Sequence, residues 1–146
     1  MQFNHHQPVP LLFGSETLHQ LPSIIEKIGG TKGLLVCTPS LVKSGFADTL
    51  VDHCHDIFVE VFSALQPNPT VNNTNELVKK IQETKCDFVV AVGGGSAMDC
   101  AKLACVVANN DGTVTDYLHK RKSFERRGVP IIAVPSTSGS ASEVSA

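Results

Sequence analysis

Unbroken apolar runs and helical periodicities alternate along the chain. Leu34, Leu35, Val36 and Cys37 form one such run, and Phe88, Val89, Val90, Ala91 and Val92 form another. A strand covered on both faces reads this way, whereas a half-exposed strand alternates polar and apolar residues. Residues 57–62 are β-branched and aromatic and predict a strand, and residues 129–135, bounded by Pro130 and Pro135, predict a last one. Between these runs the period changes. Leu18, Leu21, Ile24, Ile25 and Ile28 recur every three or four positions and predict a helical stretch from about residue 15, split by Pro22 and closed by Gly29 and Gly30. Helices are predicted over residues 41–53, 72–84 and 97–108, the second turning Leu77, Val78 and Ile81 inward. Pro8 and Pro10 cannot donate to a ladder, so residues 4–13 are expected as a short hairpin at a sheet edge. Residues 113–128 read as a polar loop.

Short apolar strands alternating with amphipathic helices predict βαβ units, hence an α/β fold with a doubly wound, mainly parallel, Rossmann-like sheet. Ligands of such sheets bind outside the carboxyl ends of the strands. The loops to search therefore begin at Thr38, Gln66, Gly93 and Ser136.

Composition narrows the function. The 146 residues carry 12 Lys and Arg against 14 Asp and Glu, a net charge of −2, and give no basic footprint for nucleic acid. No run approaches the ~20 apolar residues that cross a bilayer. The first residues lack the charged-then-apolar order of a secretory signal, and the expected location is cytoplasmic. Five cysteines without a C-x-x-C pair fit free thiols in a reducing compartment, serving as small core residues.

Two loops offer chemistry. Gly93, Gly94, Gly95 and Ser96 lie between the most buried-looking strand and a helix. Missing side chains let a ligand approach the backbone there, and helical N–H groups with their partial positive charge suit a phosphate. Three glycines also make a tight turn unaided, but the strand before and the helix after favour phosphate. Met98 occupies the third glycine position of a G-x-G-x-x-G fingerprint and no Gly-Lys-Ser/Thr follows, so neither common phosphate motif applies. The last strand opens into Ser136, Thr137, Ser138, Ser140 and Ser142, a set of hydroxyls that reads as a polar cradle, with one or two serving as helix caps. Asp99 and Lys102, at i and i+3, either pair on the helix surface or face the same cleft as the glycine loop. The six histidines show no metal-ligand spacing. Lys120, Arg121, Lys122, Arg126 and Arg127 make a basic loop, either a solvated surface or a contact for an anionic substrate or partner subunit.

The run from Gly93 to Lys102 resembles the GGGSxxDxAK motif of the iron-containing (group III) alcohol dehydrogenases, which share their architecture with dehydroquinate synthase. Residues 135–144 resemble the family's PTTAGTGSEV run, Pro67 to Thr70 its PNPT loop, and Phe13 and Gly14 its early F-G element. The four occur in the family's order.

The resemblance implies a dehydroquinate synthase-like amino-terminal domain over residues 1–146 that holds NAD or NADP. Gly94, Gly95 and Ser96 would bind the pyrophosphate, Asn68 would line the cleft, and Thr137, Ser138 and Ser140 would contact the cofactor from the other side. Asp99 and Lys102 would face the nicotinamide or substrate end. Many members place an aspartate at the position of Thr38, where it holds the adenosine ribose and repels a 2′-phosphate, so strict NAD specificity is not expected. The family's Fe2+, or sometimes Zn2+, is held by a helical carboxyl-terminal domain, and the match stops before it. No catalytic residue or metal ligand is expected in this chain, which alone is expected to be inactive. The complete enzyme would be a homo-oligomer interconverting a small alcohol and its aldehyde or ketone. Alternatives are a glycerol dehydrogenase, maleylacetate reductase or dehydroquinate synthase type, or a stand-alone nucleotide-binding module.

Overall fold

A computed structural model describes residues 9–66, 68–139 and 141–144. Its centre is a four-stranded, wholly parallel sheet of β1 (Gly33–Cys37), β2 (Phe58–Phe62), β3 (Phe88–Gly93) and β4 (Ile131–Pro135), in the order β2-β1-β3-β4. All residues of β1 and β3 are buried, as their apolar runs require, while both outer strands are partly open.

Successive residues of the inner strands face opposite layers. Leu34, Val36, Val89 and Ala91 pack under α4 (Val71–Thr84) and α5 (Gly95–Ala108). Leu35, Cys37, Phe88, Val90 and Val92 pack under α1 (Leu21–Lys27) and α3 (Phe46–His53). The result is a doubly wound α/β sandwich. Thr70 caps α4 by accepting from the Asn73 amide at 3.3 Å, and Leu77, Val78 and Ile81 form its buried face. In α5, Ala97, Ala101 and Ala104 are buried small residues that let the helix settle on the sheet. All five cysteines are buried and free.

Three local expectations change. The helix expected over residues 41–53 is two, α2 (Pro39–Lys43) and α3, because Gly45 adopts φ 77°, a left-handed conformation that ends the first helix and that glycine takes without a Cβ penalty. The polar loop after α5 contains a further helix, α6 (Val114–Leu118), whose start is closed by a reciprocal capping box between Thr113 and Asp116. Of the expected edge hairpin, residues 4–8 lie outside the described residues and residues 9–13 run as irregular chain; Pro10 has no N–H to give a ladder. Pro22 divides the first helical stretch as expected, with a 3-10 turn over Thr17–Gln20 and the proline in the first turn of α1.

Candidate functional site

The strand order reverses between β1 and β3: from β1 the chain moves outward to β2, and from β3 outward to β4. Such a switch point leaves a crevice at the carboxyl edge of the sheet. Thr38 follows β1 there, and Gly93 ends β3. A Cβ added to Gly93 would come within 2.9 Å of the Ala97 Cβ and 3.5 Å of the Thr38 Cγ2, so the three segments crowd together at that point.

The glycine loop is a bare helix start. Gly94 is the residue before α5, with φ −79° and ψ 177°, and it supplies no side-chain cap. The first turn of α5 contains no acidic residue. The partial positive charge of the helix start is thus left without a carboxylate to neutralise it, the condition that favours a bound anion. The second loop meets this one because β3 and β4 are parallel and in register at Gly93 and Pro135. The Ser136 amide donates to the Gly93 carbonyl at 2.8 Å, and the Thr137 Oγ1 would lie 3.3 Å from a Cβ on Gly94. Thr137 and Ser138 are exposed, as is Ser96. Gly94, Gly95, Ser96, Thr137 and Thr38 are therefore gathered at one sheet edge. Ser140 lies outside the described residues.

Thr38 is a neutral hydroxyl at the start of α2, its Oγ1 2.9 Å from the Ser40 Oγ. Asn68 is exposed in the left-handed region at φ 54°. Pro69 and Thr70, next to it, line a cleft of about 220 Å³ together with Asp99, Cys100, Leu103 and Leu118. Asp99 is exposed. The surface pair of Asp99 with Lys102 is absent among the ion pairs of the described residues, which are Lys80–Glu60 and Lys80–Glu83. Lys102 instead donates to the carbonyl of buried Ser142 and ties α5 to the end of the hydroxyl-rich loop.

Sequence reasoning missed the residue that shapes the Asn68 loop. Asn73, only 5% exposed, accepts from the Gln66 amide at 2.9 Å and donates to the Ala64 carbonyl at 2.9 Å. One side chain of α4 thereby fixes the approach to the PNPT loop; its signal was a polar residue at the start of the buried helix face that continues in Leu77, Val78 and Ile81. Beside it, the Thr74 Oγ1 lies 3.4 Å from the Cys100 Sγ, and burial pushes that thiol's pKa up.

Residues 8–146 match the iron-containing alcohol dehydrogenase family. The chain belongs to that family. Among relatives, alcohol dehydrogenase 4 of Schizosaccharomyces pombe is 36% identical over 135 residues, covering 91% of this chain and 32% of its own length. Long-chain-alcohol dehydrogenase 1 of Geobacillus thermodenitrificans is 37% identical over 135 residues, or 90% of this chain and 34% of its own length. The solved sulfoacetaldehyde reductase from Bifidobacterium kashiwanohense, in complex with NAD+, superposes with a TM-score of 0.92 at 36% identity, over 99% of this chain and 38% of that one. The chain thus spans about a third of the length of the relatives it matches. Among the described residues no helix is long and apolar enough to cross a membrane.

Proposed function

We propose that residues 1–146 are the dinucleotide-binding domain of an NAD(P)-dependent oxidoreductase that interconverts a small alcohol and its aldehyde or ketone. The bare start of α5, set at the switch point with Thr137 against Gly94, carries this reading. The similar fold of a reductase crystallised with NAD+ supports it.

In this reading the backbone N–H groups of Gly94, Gly95 and Ser96 hold the pyrophosphate, and Thr137, Ser138 and Ser140 are the residues assigned to contact the cofactor from the other side. Thr38 meets the adenosine ribose. Asn68 lines the cofactor cleft, and Asp99 and Lys102 face its nicotinamide or substrate end. The cofactor supplies the hydride chemistry; the chain binds and orients it. Among the described residues no three His, Cys, Asp or Glu side chains come together as a metal site. The family's metal therefore has no ligand set among these residues. We place the protein in the cytoplasm, where buried free thiols stay reduced, and expect the complete enzyme to be a homo-oligomer.

Titration of the 146-residue chain with NADH, followed by nicotinamide fluorescence, tests the reading. Weak saturable binding without turnover of an alcohol panel is expected. Metal-dependent turnover by this chain alone would sink the assignment of catalysis to residues beyond it, and complete indifference to dinucleotide would sink the cradle.

A further inference from the structure

The far end of α5 carries a second built loop. Fourteen residues of helix at about 1.5 Å each separate it from the glycine loop by about 20 Å. There Asn110, 8% exposed, ties the end of α5 to the returning chain through its side-chain amide. Its Nδ2 donates to the carbonyls of Val106 and Arg126 at 2.8 and 2.9 Å, and its Oδ1 accepts from the amides of Glu125 and Arg126 at 2.8 Å each. The Tyr117 hydroxyl donates to the Asp111 carbonyl at 2.8 Å, and the Tyr117 ring stacks on Phe124 with centroids 4.3 Å apart. Lys122 Nζ donates to the same carbonyl at 3.0 Å. These ties hold open a cavity of about 480 Å³, a volume within the roughly 300–1,000 Å³ of small-molecule sites.

The lining is mixed in charge. Arg121, Lys122 and Arg126 face it together with Ser123, Asp111 and Glu125. The carboxylate of Asp116 lies close to Arg121 and Lys122 as well, but it is committed to the amide and hydroxyl of Thr113 at 2.9 and 2.8 Å. Among the described residues the guanidinium groups of Arg121 and Arg126 have neither a hydrogen-bond nor an ion-pair partner. Their planar forks match phosphate oxygens two at a time. Asp111 and Glu125 would repel an ion that is charged all round, yet they accept readily from hydroxyls.

We propose that this cavity binds a small phosphorylated polyol, with its phosphate on Arg121 and Arg126 and its hydroxyls toward Asp111 and Glu125. The site is separate from the dinucleotide cradle and does not depend on it.

The test is a titration of the ¹⁵N-labelled 146-residue chain with glycerol 3-phosphate, with glycerol and inorganic phosphate in parallel. Saturable amide shifts are expected within residues 110–126, at lower concentration for the ester than for either part alone. Arg121→Gln together with Arg126→Gln, both exposed, should weaken binding by about tenfold or more and leave the urea unfolding midpoint in place. Shifts confined to residues 94–96, a titration the double variant does not alter, or no saturation would each overturn the proposal. Equal binding of phosphate and ester would remove the polyol from it.

Discussion

Thr137 stands over Gly94, its Oγ1 3.3 Å from where a Cβ on the glycine would sit. The contact joins the loops that leave the adjacent strands β3 and β4, beside the uncapped start of α5.

Gly94→Val should therefore close the crevice. The backbone there, at φ −79°, suits any residue, so the change adds little strain. NADH binding is expected to weaken by about tenfold or more, the loss of a charge-assisted hydrogen bond, while stability falls by no more than about 1 kcal/mol. Fluorescence titration and urea unfolding on the same samples separate the two effects.

Thr38 gives the first strand's loop a hydroxyl in place of a carboxylate. We expect NADP to bind about as well as NAD, and Thr38→Asp to weaken NADP relative to NAD by about tenfold, through repulsion of the 2′-phosphate. Parallel titrations measure the ratio. A strong exclusion of NADP by the unaltered chain would contradict this use of Thr38.

Replacing Asn73 leaves the Gln66 amide and the Ala64 carbonyl without their partner. Asn73→Ala should cost about 1–3 kcal/mol and raise hydrogen exchange at Gln66. Asn73→Asp keeps the acceptor for Gln66 and loses only the donor to Ala64, so protection at Gln66 should survive better than in the alanine variant. Equal exchange in both would mean that the loop is held by something else.

Acid stability should depend on Asp87. Asp87 is exposed, and the small loss of solvent around it, which pushes its carboxyl pKa up, is outweighed by hydrogen bonds from the Thr31 hydroxyl and from the Lys32 and Thr31 amides, which hold it below the ordinary aspartate range. A folded-state pKa lowered in this way adds stability above the unfolded value of about 3.9, and the contribution disappears as pH falls through the folded value. Asp87→Asn should reduce stability at pH 7 and flatten its fall below about pH 4. Urea unfolding midpoints across the range from pH 2 to 7 would show whether the two curves converge at the acid end.

The strands and their order of use were legible because β1 and β3 are buried on both faces and keep no polar position to confuse the pattern. β4 read the same way, yet its residues are only half-buried, since composition does not tell an edge from a centre. The break at Gly45 was legible only in part: a lone glycine within a helical period signals weakness, and only its φ shows that it ends the helix. α6 escaped notice because five residues are too few for a period to show, although its capping pair of Thr113 and Asp116 was there to be seen. The cradle's members could be named from their motifs, but the meeting of Thr137 with Gly94 depends on the register of β3 and β4, which no spacing along the chain contains. The polar pins Asn73 and Asn110 were hidden for a related reason: most of their partners are backbone groups of adjoining loops, which a helical period does not register.

β3 touches both helical layers residue by residue, Val89 and Ala91 on one side and Val90 and Val92 on the other, before it reaches Gly93. The height of the glycine loop is thus set by two separate cores pressing on one strand. A loosening of packing in either layer would be transmitted along β3 to the uncapped amides at the start of α5. Core substitutions far from the crevice, such as at Leu50 or Ile81, should therefore register in dinucleotide affinity before they register in loss of fold.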